Sequence, residues 1–365
     1  MSRVKDPLGS NYWRLLVASV VSNLGDGIVR AGVVAVLVAT IAIDQVGLVL
    51  LYIVTFVLGV AETVYDSASR AMLPQVVRRD QLDLANGPLS SAEVMTQAFL
   101  AAPAGSFLFA WLVIAPFVSA AVAYLLAALL ILSIVGILRP ARDGQAQTGS
   151  TTLRADIREG LRWLRGHELL RGLAVIVGLV AAAETMADSL LVLYVVDTLG
   201  LPESAFGVFL VSFGVGGLLG GLAAARIAAK LGRIATLVLS SAVTGGAAIG
   251  IGLTSNVWVG AAFFGAVALS VSVFNVLSIS LRQALIPEQL FGRVQGAYRT
   301  LVWGLIPIGA LLGGVVARLT SVPATFVISG VLQVVLAILL WRLLRRHRLQ
   351  IAAAHQPDPV PAVAS

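Results

Sequence analysis

The stretch ETVYDSASRAMLPQVVRRDQLDLANGPLSSAEVMTQAFLAAPAG, residues 62–105, carries the pattern around which the chain is organised. An apolar helix runs into two acids, Glu62 and Asp66. A short basic and polar loop follows, with Pro74, Arg78, Arg79 and an Ala85-Asn86-Gly87 turn. An apolar helix then resumes, carrying Glu93 and Gln97. The second half repeats the arrangement from Asn275 to Gly314, NVLSISLRQALIPEQLFGRVQGAYRTLVWGLIPIGALLGG. Leu73-Pro74 matches Ile286-Pro287, Leu82 matches Leu290, and Gly105 matches Gly313. Two copies of helix, basic loop and helix in so apolar a chain indicate an internally duplicated membrane protein.

Composition agrees. Of 365 residues, 58% are hydrophobic and 12% charged, against about a quarter charged in soluble proteins. Apolar runs near the length of a membrane span recur along the whole chain, which excludes a soluble domain with one anchor. The net charge is +7, but the basic residues sit in short loops between apolar runs. They set orientation rather than bind nucleic acid. There is no cysteine, hence no disulfide and no thiolate metal site. His167, His347 and His355 lack metal-ligand spacing. Glycine-rich runs such as 214–221 read as close helix packing. A phosphate loop needs a lysine after the glycines, and the two lysines, Lys5 and Lys230, do not fit. No nucleophile, base and orienting residue converge. The chain is therefore expected to be neither an enzyme nor an ATP-driven pump, and to need no cofactor or metal.

The expected organisation has four parts. Residues 1–138 form an incomplete first bundle, with spans at 13–43, 48–65, 89–111 and 115–138. The first span is retained rather than cleaved as a signal peptide. Residues 139–170 form a cytoplasmic linker. Its flexible start leads into an amphipathic helix in which Leu153, Ile157, Leu161 and Leu164 lie beside Arg154, Arg158, Arg162 and Arg165. That helix either lies on an anionic leaflet or is a solvated connector. Residues 171–348 form a second bundle of six spans, at 171–196, 204–228, 234–254, 257–281, 295–318 and 323–344. The tail, 349–365, reads as disordered.

Ten spans with both termini in the cytoplasm place nearly all Lys and Arg inside. Arg70, Arg78, Arg79, the 139–171 cluster, Arg226, Lys230, Arg233, Arg282, Arg293, Arg299 and the 342–348 cluster all fall there. Arg318 is the clear exception, and Arg30 lies within a span.

Ser22-Asn23-Leu24-Gly25-Asp26, the block from Glu62 to Glu93, GLAAARIAAKLGR at 221–233 and the connector at 153–170 together resemble the major facilitator superfamily. The nearest likeness is to its branch of drug and siderophore exporters, including enterobactin and macrolide efflux proteins. The resemblance implies an all-α polytopic bundle, and a gating loop carrying Gly221, Arg226, Gly232 and Arg233. It also departs from the family, which has twelve helices where this chain has room for about ten. Residues 12–28 look like the start of the family's first helix and 29–43 like its third. The rest of helix one, helix two and the first-half loop are missing. The fused stretch of 31 residues would extend ~46 Å against a hydrocarbon core of ~30 Å, so it must tilt, kink or lie partly at the interface.

Three acidic groups are candidates for function. Asp26 and Arg30 are four apart, acid first. Asp26 either lines the transport path, as the resemblance implies, or is simply neutralised by Arg30. Glu62, with Asp66 and Arg70 following at the same spacing, is either a proton-sensitive gate or a helix-end charge ladder. Glu184 and Asp188 share one face in mid-span with no basic residue within a turn. Two carboxylates this close in a low-dielectric setting resist ionising together. They are read as a proton-carrying site, the blander reading being a polar pair satisfied by neighbouring helices. The expected function is secondary transport in the cell membrane: proton-coupled efflux of a hydrophobic small molecule such as a drug, siderophore or secondary metabolite. The alternative is a non-transporting remnant or interaction partner. The expected partners are the lipid bilayer, a small-molecule substrate and protons. Substrate identity and oligomeric state are not legible in the sequence.

Overall fold

The computed structural model describes residues 8–42, 72–74, 76–96, 100, 104, 107–108, 111–112, 115–133, 153–202 and 206–354. Among them there is no strand. Contacts divide the chain into two compact units. One is Met1–Gln81 with Pro88–Thr148. The other is Leu82–Gly87 with Gly149–Ser365.

The first unit contains α1 (Ser10–Ala42), most of α2 (Leu82–Met95) and α3 (Ala115–Leu132). The fused stretch is one unbroken helix of 33 residues, about 50 Å long at the standard rise. α1 packs along α3. Gly25 allows the approach: a Cβ there would sit 3.1 Å from the Ala123 Cβ. Asp26, buried, accepts a hydrogen bond from the Tyr124 hydroxyl. The expected partner, Arg30, lies in α1, but its side chain is outside the described residues. Glu62, Asp66 and Arg70 are also outside them.

In the second unit six helical stretches are long and apolar enough to cross a membrane: Glu168–Thr198, Leu210–Leu231, Arg233–Leu253, Val257–Leu285, Phe291–Leu319 and Val322–Arg346. The linker helix α4 (Leu153–Gly166) leads into α5 (Glu168–Asp188), which continues through a short turn into a π-helical segment, Tyr194–Thr198. Then come α6 (Phe206–Leu231), α7 (Arg233–Leu253), α8 (Val257–Leu285), α9 (Phe291–Gly304), α10 (Ile306–Leu319), α11 (Val322–Arg346) and a short α12 (Arg348–Ala354). The break between α9 and α10 falls at Leu305, just before Pro307, which lacks the N–H a continuous helix would use.

Local chemistry sets these boundaries. The His167 Nδ1 accepts the Leu170 N–H at 3.3 Å and caps α5. Burial, with His347 nearby, holds His167 below the usual imidazole range, which keeps that lone pair available. Asn256 caps α8 by accepting from the Trp258 and Val259 N–H groups. Ser321 caps α11 through Ala324. Gly232, at φ +85°, supplies the left-handed turn that lets α6 stop and α7 start one residue later.

The packing is by small residues. α10 lies against α5. A Cβ on Gly309 would come within 2.2 Å of the Ala182 carbonyl oxygen, and one on Gly313 within 2.3 Å of that of Met186. These two glycines clamp the turn of α5 that carries Glu184. Gly309→Ala and Gly313→Ala should each cost about 1–3 kcal/mol, because the helices must separate or strain. The check is the melting temperature in detergent. An unchanged value in both variants would show that α10 is free to shift.

Two further observations bear on the linker and the tail. Part of the apolar face of the linker helix packs within the protein. Leu164 is buried, and Gly160 packs against the backbone of Arg293 in α9, with Glu159 paired to Arg293. Arg158, Arg162 and Arg165 are exposed, while Leu153 and Ile157 have side chains outside the described residues. The tail expected to be disordered from 349 begins instead as α12, anchored by buried Ile351.

Candidate functional site

Glu184 and Asp188 lie one turn apart on α5, as their spacing dictates. They line a cavity within the second unit together with Thr244 of α7, Phe264 of α8, and Phe326 and Gln333 of α11. Glu184 is half-buried and Asp188 exposed. The cavity has room for about one water-sized guest. The helices bring polar atoms there through a chain of hydrogen bonds. Ser329 donates its hydroxyl to the Ala183 carbonyl, beside Glu184 in α5. Gln333 in turn donates its amide nitrogen to the Ser329 Oγ at 3.1 Å. On α7, Thr244 donates to the Ser240 carbonyl at 3.0 Å. At one end of the cavity Tyr194 donates to the Ile251 and Thr254 carbonyls.

Sequence reasoning found the two acids from their spacing but missed Thr244 and Gln333. A lone glutamine in the apolar run 322–346 was the available signal, since an amide in a membrane helix needs a partner.

The expected gating loop is split by the structure. Gly221 to Leu231 belongs to α6, Gly232 is the turn, and Arg233 opens α7. Arg226 is exposed on α6. The Arg233 Nε meets the Asp83 Oδ2 at 2.6 Å, with Asp83 nearly buried and Arg233 about a third exposed. One turn on, Asn86 donates to the Leu82 carbonyl, the Ser280 Oγ and the Gln283 Oε1, at 2.7–3.0 Å. Gly87 is needed for close approach, because a Cβ there would lie 2.6 Å from the Gly221 carbonyl oxygen. The Ala85-Asn86-Gly87 stretch is therefore not a loop turn but the interior of α2. Asp83, Asn86 and Gly87 serve contacts to α7, α8 and α6 respectively, which composition alone could not distinguish from loop chemistry.

Among the described residues no group of three or more His, Cys, Asp or Glu side chains could hold a metal ion. Asp26 belongs to the first unit and is not among the residues that line the α5 cavity.

The sequence profile of the Major Facilitator Superfamily matches residues 27–308, and again 173–364. The enterobactin exporter EntS of Citrobacter koseri is 31% identical over 211 residues, covering 55% of this chain and 47% of that protein. The MFS-type transporter YvqJ of Bacillus subtilis is 24% identical over 283 residues, covering 75% and 65%. The chain thus spans about half to two-thirds of the length of these curated relatives. The crystal structure of a bacterial homologue of the iron transporter ferroportin, in an outward-facing state, superposes with a TM-score of 0.63 at 19% identity, covering 94% of this chain and 86% of that one. The E. coli fucose:proton symporter FucP gives 0.62 at 14% identity, covering 92% and 84%. These structural likenesses establish the fold. With the profile matching well over half of its residues, the chain belongs to the Major Facilitator Superfamily.

Proposed function

We propose that this chain is a secondary active transporter that exports a hydrophobic small molecule, with Glu184 and Asp188 as its proton-coupling pair. Family membership and the likeness to enterobactin exporters support export. The observation that carries the coupling role is that both carboxylates line one narrow cavity beside buried Gln333. A carboxylate there can take up a proton in one state and release it in another. The loop at Gly221, Arg226, Gly232 and Arg233 acts as a gate in this reading, with Asp83 as its latch. Asp26 and Glu62 belong to the substrate path of the first bundle. The test is a drug-susceptibility panel in a host lacking its main efflux pumps. Expression should raise resistance to at least one hydrophobic compound, and the variant lacking both α5 acids should not.

A second reading rests on α1. One continuous helix covers the stretch that resembles the start of the family's first helix joined directly to its third. A first bundle so shortened would leave a non-transporting remnant or partner protein. The DNA around the codons for residues 28–31 separates the two: an in-frame gap or sequencing error there would restore a full transporter.

Ten spans with cytoplasmic termini, in the cell membrane, complete the proposal. A reporter active only in the cytoplasm, fused after Gly149 or after Ala354, should be active at both sites. Silence of either fusion in an inserted protein would refute the topology.

A further inference from the structure

Every polar side chain that lines the α5 cavity offers it an acceptor. The Ser329 hydroxyl proton is committed to the Ala183 carbonyl, so its Oγ can only accept. That fixes the Gln333 amide: its nitrogen must face Ser329, and its Oε1 is left over. Gln333 is 1% exposed, and this Oε1 has no hydrogen-bond partner. The Thr244 hydroxyl proton is likewise spent on the Ser240 carbonyl. Glu184 and Asp188 contribute carboxylates. Four sets of oxygens line a space for about one water-sized guest, bounded by Phe264 and Phe326, and the one side-chain donor among them, the Gln333 amide, already gives one N–H to Ser329.

We propose that Glu184, Asp188, Thr244 and Gln333 form a binding site for a small monovalent cation, Na+, which competes there with protons. An all-oxygen set is the ligand chemistry of hard cations. A divalent ion fits less well. Ca2+ usually takes about six to eight oxygen ligands and Mg2+ keeps several waters, against a cavity with room for about one water-sized guest. An organic ammonium is too large for this space. The proton competes because either guest supplies the positive charge that the acceptors lack. Among the described residues that line the cavity from α5, α7, α8 and α11, the titratable ones are Glu184 and Asp188. α10 presents Gly309 and Gly313 to this stretch of α5. The Tyr194 hydroxyl is committed to two backbone carbonyls. The inference rests on the reading of Glu184 and Asp188 as the coupling pair and adds a second ion to it.

The test uses the full chain purified in detergent, with NaCl compared to choline chloride at equal ionic strength. At pH 8, Na+ should raise the melting temperature and choline should not. Where protons compete, the half-effective Na+ concentration should rise about tenfold per unit fall in pH. Glu184→Gln with Asp188→Asn should remove the Na+ effect. Gln333→Met should weaken it about tenfold, the effect of losing one charge-assisted contact. Equal shifts in Na+ and choline, or a Na+ shift retained by the double variant, would overturn the site. Should that variant not fold, binding of 22Na+ to the parent decides. Displacement by unlabelled NaCl and by acid supports the site, and no saturable binding overturns it. The outcomes separate from those for export. Na+ binding without efflux sinks the transport reading alone, and proton-driven efflux without Na+ binding sinks this inference alone.

Discussion

Replacing Glu184 with glutamine and Asp188 with asparagine together should reduce proton-driven efflux to background while leaving the protein folded and inserted. Both substitutions keep side-chain volume and polarity, so the clamp of Gly309 and Gly313 around this turn of α5 is undisturbed. What they remove is the capacity to bind and release a proton. An amide cannot do that at any pH the cell reaches. The cavity has no other titratable lining residue among those described, so no neighbour can take over. Efflux of a dye or drug from proteoliposomes under an imposed pH gradient is the measurement. Circular dichroism and melting temperature serve as controls for folding. Undiminished efflux by the double variant would exclude these residues as the coupling site.

The second large effect is expected at Asp83 and Arg233. The pair joins the start of α2 to the start of α7, and the Asp83 Oδ1 has no other partner among the described residues. Asp83 sits in the first turn of its helix, where a negative charge is favourable. Arg233 opens α7, where a positive charge is not, so it depends on its acid. A fully buried pair broken on one side costs about 3–5 kcal/mol. Arg233 is about a third exposed, and solvent screening reduces the expected loss for Asp83→Asn to about 1–3 kcal/mol. Arg233→Gln should cost a similar amount, and the double variant less than the two losses added. Melting temperatures of the four proteins check this. Strictly additive losses would mean that the two charges do not depend on each other.

The fold was legible because its signal is spread over the whole chain. Apolar runs, glycine-spaced packing and alternating basic loops each point to a membrane bundle. The six stretches of the second unit begin and end within about six residues of the expected spans, with caps at His167, Asn256 and Ser321 accounting for three starts. The site was half legible. Glu184 and Asp188 stand out because two acids in an apolar helix are costly wherever they are. Gln333 and Thr244 do not, because a single amide or hydroxyl is common in such helices and its partner lies on another element. Asn86 and Gly87 were misread as a turn, and Asp83 was passed over, for a related reason. Asp, Asn and Gly mark turns when their bonds are local, whereas here the bonds run to α7 and α8 and the glycine serves contact with α6. Asp26 was read as lining the transport path or as neutralised by Arg30, whereas its hydrogen-bond donor, Tyr124, lies 98 residues away and carries no signal near it in sequence.

Export by this chain is the proposal on which the others depend. It is tested most directly by reconstituting the parent protein alone in sealed proteoliposomes, imposing a pH gradient, and following a panel of hydrophobic fluorescent substrates. The account predicts uphill movement of at least one substrate, collapsing when a protonophore dissipates the gradient. No gradient-driven movement of any substrate, by protein shown to be folded and inserted, would contradict it.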